Sequence, residues 1–252
     1  MSLAEQVQMP AGYGLRVFDS VSSTNDLARE MADDPSLGNM VVWGLEQTGG
    51  RGRSGREWSS PKGNLYASVL IQDVGPLAQA ANLSMVAAVA MGEAVASLLP
   101  GIGALGHKWP NDLLLDRAKF CGLLLECGTN KSNMNWVVIG SGVNIAAHPE
   151  NTPYPATKLD AYGFDQPVSA LLSAYVSRLD YWISRWRTEG FSPVREMWLS
   201  RAVGLGDMIR ARLADGQELV GRFQDLDRDG ALLLDIPGKG LKTITAGDVF
   251  FS

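Results

Sequence analysis

Residues 50–56, Gly50-Arg51-Gly52-Arg53-Ser54-Gly55-Arg56, set three guanidinium groups among the residues that constrain a backbone least. Glycine loses the most conformational entropy on ordering and arginine resists burial, so folding gains little from this stretch. Guanidinium forks and free backbone N–H groups both suit phosphate oxygens. Two readings follow: a flexible cationic loop that a polyanionic ligand orders, or a solvated surface loop. Gly50-x-Gly52-x-x-Gly55 matches the dinucleotide fingerprint in letters only. That motif needs a helix to begin inside it, and Glu57-Trp58-Ser59-Ser60-Pro61-Lys62-Gly63 is a poor helix. Without a Gly-Lys-Ser/Thr ending it is no P-loop.

Three further clusters carry groups that chemistry can use. Lys108-Trp109-Pro110-Asn111-Asp112 gathers a cation, an aromatic ring, a rigid proline and two polar groups before an apolar strand, although a simple turn has the same composition. Lys119 opens the run Lys119-Phe120-Cys121-Gly122-Leu123-Leu124-Leu125-Glu126, where Gly122 permits close approach of a ligand and the lysine alone reads as an edge guard. Gly140-Ser141-Gly142-Val143-Asn144 interrupts apolar runs with two glycines, as a β-bulge would. Cys121 and Cys127, with only two histidines in the chain, are too few for a zinc site and read as buried small hydrophobes. No metal site is expected.

These groups need a scaffold. The spacing predicts a helix over Thr24 to Asp33, strands over Met40 to Leu45 and Asn64 to Gln72 (the latter with one face buried), and a long small-residue helix over Leu77 to Leu99. Short strands follow at Asp112 to Leu115, Cys121 to Cys127 and Trp136 to Ile145, the first two joined at Asp116-Arg117-Ala118. A second long helix over Val168 to Glu189 buries Leu171, Leu172, Tyr175, Leu179, Trp182, Ile183 and Trp186 and stops at Gly190. After Gly204 the pattern changes to four short strands with turns at Asp215-Gly216, Asp229-Gly230 and Pro237-Gly238: Met208 to Leu213, Glu218 to Phe223, Ala231 to Ile236 and Leu241 to Thr245. The expected organisation is an α/β or α+β layered domain over 1–203, with α+β preferred, and a small all-β module over 204–252.

At 252 residues, 46% hydrophobic and 19% charged, the chain has material for a sizeable core. A net charge of −5 speaks against general nucleic-acid binding. The first residues lack a secretory pattern, and the apolar run Leu83 to Leu99 is broken by Glu93 and reads as too short and weak for a membrane span. A cytoplasmic protein is expected.

Taken in order, Ser23-Thr24-Asn25, Gln47, the Gly/Arg loop with Trp58, Lys108-Trp109-Pro110-Asn111-Asp112, Lys119-x-x-Gly122-x-Leu124-x-Glu126 and Gly140-x-Gly142-x-Asn144 resemble the biotin protein ligase family. The resemblance covers about Phe18 to Ile145. It implies a mixed-sheet catalytic domain related to class II aminoacyl-tRNA synthetases and a small SH3-like C-terminal barrel. It implies two reactions: biotin and ATP give biotinoyl-adenylate and pyrophosphate, and a lysine of a biotin carboxyl carrier protein then takes the biotinoyl group. By resemblance, Ser23, Thr24, Asn25, Gln47, Arg51, Gly52, Arg53 and Lys119 bind biotin. Arg51, Arg53, Trp58, Lys108, Asn111, Lys119, Gly140, Gly142 and Asn144 lie at the nucleotide. Lys119, Arg53 and Asp112 are the catalytic candidates, with Mg2+ accompanying ATP. Only about twenty residues precede Ser23, too few for the DNA-binding domain that some relatives carry. Relatives occur as monomers or sheet-to-sheet dimers, and a homodimer stays open.

The mechanism asks for opposite things in its two steps. Joining a carboxylate to a triphosphate needs cations, which Lys119 and the loop arginines supply. The transfer needs a neutral amine from a largely protonated lysine, and Asp112 is the candidate to orient or deprotonate it. Two other readings remain: a lipoate or octanoate ligase, which needs a long apolar tunnel, and a non-enzymatic module that clamps a nucleotide.

Overall fold

The structure, a computed structural model, describes residues 3–150, 152 and 154–251. Seven strands form the larger sheet: β1 Tyr13–Phe18, β2 Asn39–Gly44, β3 Leu65–Gln72, β4 Leu105–Lys108, β5 Asp112–Leu115, β6 Ala118–Thr129 and β7 Asn135–Val143. They lie in the order β1-β2-β3-β7-β6-β5-β4. Only β1 and β2 pair in parallel, so the sheet is mixed. β1 and β4 were not anticipated: Gly14, Arg16, Gly106 and Lys108 dilute their apolar pattern.

Five helices flank the sheet: α1 Thr24–Met31, α2 Leu77–Ala80, α3 Leu83–Leu98, α4 Val168–Glu189 and α5 Ser192–Leu199. The helix expected over Leu77 to Leu99 is thus two pieces, and α5 was missed. Leu77–Leu98 is, contrary to the sequence reading, long and apolar enough by length and composition to cross a membrane. About two-thirds of it is buried inside the protein, and α3 packs on α4, α5 and the sheet. All seven apolar residues anticipated in α4 are buried, and Gly190 ends it with φ 79°.

The two faces of the sheet are covered unequally. Leu65, Ala67, Val69 and Ile71 of β3 join the large core with α3 and α4. Leu70 instead meets Ala28 and Ala32 of the α1 region in a smaller cluster. β3 is therefore buried along its whole length and not on one face as expected, because helices stand on both sides of it. The short α1 covers only part of its face, and the uncovered part is where the site lies.

The smaller sheet is antiparallel, in the order β11-β10-β9-β8-β12: β8 Met208–Arg212, β9 Glu218–Leu226, β10 Leu232–Ile236, β11 Gly240–Ile244 and β12 Asp248–Phe251. The fifth strand, β12, was not foreseen. Inward residues of the smaller sheet, Ile209, Ala211, Phe223, Leu234 and Val249, are continuous with the large core, and Trp109 Nε1 donates to Gly230 O at 3.1 Å. The turn expected around Asp116-Arg117-Ala118 is a two-residue one, Ala118 already belonging to β6, and Asp116 and Arg117 both take positive φ, 47° and 66°. Cys121 is buried, but Cys127 is exposed, near the end of β6 where the strand's burial falls off.

Candidate active site

On the α1 side of the sheet a cavity of about 460 Å³ opens. Its floor follows from strand register. Lys108, Asp112, Gly122, Gly142 and Tyr66 form one cross-strand row, and Leu124, Gly140 and Ser68 the next. Residues in a row share a face, so three glycines clear the floor where larger side chains cross. A Cβ on Gly140 would collide with the Asn25 carboxamide, and one on Gly142 would stand 2.5 Å from Trp58 ring atoms. A Cβ on Gly122 would stand 2.9 Å from the same indole. The alternative reading of this segment as a bulge fails: β7 pairs in unbroken register with both neighbours through Gly140 to Val143. These glycines sit inside a regular strand because Asn25 and Trp58 lie on it.

One end of the cavity is uncharged and polar. Ser23 stands in extended geometry at the α1 N-terminus, but its side chain makes no capping bond. Gln47 caps the helix instead, with Thr24 N donating to Gln47 Oε1 at 2.9 Å and Thr24 Oγ1 donating to the same oxygen at 3.1 Å. Gln47 Nε2 donates to Ser60 Oγ at 3.0 Å. The buried Ser68 hydroxyl lies 2.6 Å from Asn25 Oδ1 and 2.7 Å from Thr24 Oγ1. Thr24 already spends its proton on Gln47, so Ser68 has one proton for two acceptors. An acceptor is left over at this end.

The Gly/Arg loop corrects the sequence reading. It is no free flexible loop but a small hairpin: Trp58 N donates to Gly50 O at 2.9 Å and Gly52 N to Arg56 O at 2.7 Å, with Arg51 bridging Glu57. Carboxylates of the chain itself neutralise it. Arg51 Nη2 donates to Asp26 Oδ1 at 2.6 Å and Glu126 Oε1 at 3.2 Å. Arg56 makes two bonds to Asp248, at 2.9 and 3.0 Å. Arg53 donates to Asn111 Oδ1 at 3.1 Å and to Gly247 O at 3.2 Å, with Asp248 at 3.7 Å. Burial pulls the Arg53 guanidinium below its ordinary value while Asp248 opposes the shift. The bonds to Asp248 push Arg56 up.

The other end is cationic. Lys119 Nζ lies 2.6 Å from Asp112 Oδ1 and 5.1 Å from the Trp58 ring centroid. Its backbone is gripped by a passing segment, Lys119 N donating to Pro155 O at 2.8 Å and Thr157 N to Lys119 O at 2.9 Å. Lys108 Nζ stands 4.2 Å from the Tyr154 ring centroid, and burial lowers its pKa. Asn111 Nδ2 donates to Leu123 O. The Trp109-Pro110 peptide is cis.

Every site residue named from the sequence, from Ser23 to Asn144, lines this one cavity. Asn144 is partly engaged in structure, its Nδ2 donating to Thr157 O at 3.1 Å. Sequence reasoning missed Tyr154, Ser68 and Asp248. Ser68 is an ordinary strand serine, and Asp248 comes from a strand that only docking brings to the cavity. Among the described residues no cluster of three or more His, Cys, Asp or Glu could hold a metal ion.

A mixed sheet thus bears the cation-rimmed cavity, with a small antiparallel module at its edge. A family model for the Biotin/lipoate A/B protein ligase family matches residues 17–144, and one for the Biotin protein ligase C terminal domain matches residues 204–252. The chain belongs to the biotin/lipoate A/B protein ligase family. A biotin (acetyl-CoA-carboxylase) ligase from Paracoccus denitrificans is 36% identical over 236 residues, covering 91% of this chain and 97% of that protein. One from Mycobacterium tuberculosis is 32% identical over 256 residues, covering 98% and 93%. The biotin protein ligase from Aquifex aeolicus in complex with biotin and ATP shares the fold, with a TM-score of 0.78 at 23% identity over 94% of this chain and 97% of that one.

Proposed function

We propose that this cavity activates biotin with ATP and passes the biotinoyl group to a lysine of a biotin carboxyl carrier protein. The enzyme is a biotin protein ligase. The observation that carries the reading is the meeting of Thr24, Arg53 and Lys119 in one cavity, with an uncharged polar end and a cationic end.

The uncharged end suits the ureido group of biotin. Ser23 keeps its hydroxyl free of the helix cap, and the leftover acceptor beside Ser68 suits a ureido N–H. A lipoyl or octanoyl head group would offer no donor there, leaving buried polar atoms unsatisfied. At the other end, Asp112 uses one of the three N–H donors of Lys119, leaving two for the biotin carboxylate and the α-phosphate. A carboxylate oxygen attacks the α-phosphorus, pyrophosphate leaves, and Lys119 and Arg53 offset the gathered negative charge. Lys108, Asn111, Trp58 and the cleared floor at Gly142 receive the nucleotide. The hairpin covers the mixed anhydride against water.

In the second step the carrier amine attacks the acyl carbon, AMP departs and an amide forms. At pH 7 only about one lysine in 2,500 is neutral, a handicap of roughly 5 kcal/mol, for an ordinary pKa of about 10.4. Asp112 is the group positioned beside Lys119 to take that proton. Magnesium would enter on ATP, held by phosphate oxygens, since two of the carboxylates lining the cavity, Asp112 and Asp248, are already paired with cations.

We further take residues 1–203 as the catalytic domain and 204–252 as the small module, and the cytosol as the working compartment. A sheet-to-sheet homodimer would use β1, because residues 201–203 cover β4 through bonds to His107. With a net charge of −5, no nucleic-acid role is proposed. The test is ATP-dependent pyrophosphate release with biotin, lipoate or no acid. Release with biotin alone supports the reading; equal release with lipoate, or none with either, overturns it.

A further inference from the structure

Glu126 has no part in the chemistry above, yet α1 and the hairpin both converge on its carboxylate. It stands on β6 in the same alternating set as Gly122 and Leu124 and so faces the cavity side of the sheet. Asn25 Nδ2, from the first turn of α1, donates to Glu126 Oε2 at 2.8 Å. Arg51 Nη2, from the hairpin, lies 3.2 Å from Glu126 Oε1 and 3.3 Å from Oε2. The opposite end of the Asn25 carboxamide faces Ser68 Oγ at 2.6 Å.

A carboxamide can present either its oxygen or its nitrogen, and its neighbours decide which. A serine hydroxyl works in both directions and cannot decide alone. A carboxylate is acceptor-only, so it forces the amide nitrogen toward itself and the oxygen toward Ser68. Arg51, itself tied to Asp26 at 2.6 Å, holds the carboxylate in place. We propose that Glu126 is a positioning residue that fixes the Asn25 amide orientation and thereby makes the polar end of the cavity accept N–H donors from its ligand. The inference rests on the biotin reading, because only a donor head group profits from it.

The test compares KM for biotin and for ATP in pyrophosphate release, for Glu126→Ala, Glu126→Gln, Asn25→Ala and the double variant Asn25→Ala/Glu126→Ala. Glutamine retains an acceptor for Asn25 Nδ2, whereas alanine leaves the amide free to turn. Glu126→Ala is expected to raise KM for biotin about ten-fold with KM for ATP and kcat changed less than two-fold, and Glu126→Gln to restore most of the loss. The double variant is expected to be no worse than Asn25→Ala alone, since the two act in series. Equal losses in Glu126→Ala and Glu126→Gln, a rise in both KM values, or multiplied effects in the double variant would each overturn the proposal. An inactive wild type with biotin would sink the biotin reading first, so the two failures are separable.

Discussion

Lys119 Nζ and Asp112 Oδ1 stand 2.6 Å apart across neighbouring strands, with Trp58 above and Gly122 beside them. Each group therefore enters the reaction already oriented by the other. Removing one disturbs both, so single substitutions need to be read in pairs of assays.

Replacing Lys119 by Gln removes the charge that bridges carboxylate and phosphate, and adenylate formation should fall by about 100-fold, as for loss of one donor from a preorganised anion site. Asp112→Asn should slow transfer to the carrier much more than pyrophosphate release. Equal loss in the two assays would remove Asp112 from the proton-transfer step.

Arg53 and Arg56 both reach Asp248 of the small module, so the hairpin is anchored outside the catalytic sheet. Asp248→Ala should loosen that anchor and speed escape of biotinoyl-adenylate by a few-fold, the modest effect of partly exposed ion pairs. Arg53→Gly should still make adenylate but release it faster. Unchanged release rates in rapid-dilution experiments would argue against a covering role.

Gly140 and Gly142 lie two residues apart on β7 beneath different side chains. Gly140→Ala should push on Asn25 and raise KM for biotin, whereas Gly142→Ala should lift Trp58 and raise KM for ATP. Both variants raising both constants equally would mean that the floor acts as one unit.

His107 is wholly buried, its Nδ1 bonded to Trp198 O at 3.1 Å. Burial pulls its pKa from 6.5 down to about 4, with the Trp198 carbonyl opposing and Arg201 assisting. Between those values the unfolded chain binds a proton that the folded chain refuses. Stability from this group is therefore complete above about pH 6.5 and falls as pH drops toward 4, by about 3 kcal/mol in all. Urea midpoints between pH 7 and 4 should fall more steeply for the native protein than for His107→Gln; parallel slopes would clear His107.

The site was legible from the sequence because its residues are of types that folding alone does not favour: glycines inside apolar strands, arginines among glycines, and a lysine opening an apolar run. Their shared cavity could be anticipated, but not the reason for each glycine, since Asn25 and Trp58 reach Gly140 and Gly142 only in three dimensions. The loop was misjudged because its counter-charges, Asp26, Glu126 and Asp248, lie 25 residues or more from the arginines they bind. In the fold, α4 could be read from its periodicity, whereas β4 and β12 are four residues each, too short to show one. Cys127 misled because free cysteine is usually buried, and residue type does not say whether anything covers the end of β6.

The arginine hairpin takes Asp26 and Glu126 as partners on one side and Asp248 on the other. Chimeras between relatives therefore cannot treat the two halves as interchangeable parts. A transplanted carboxyl-terminal half would have to arrive with an acid matched to its host's arginines, and the compatibility of such hybrids would be decided by that seam, however similar the halves are elsewhere.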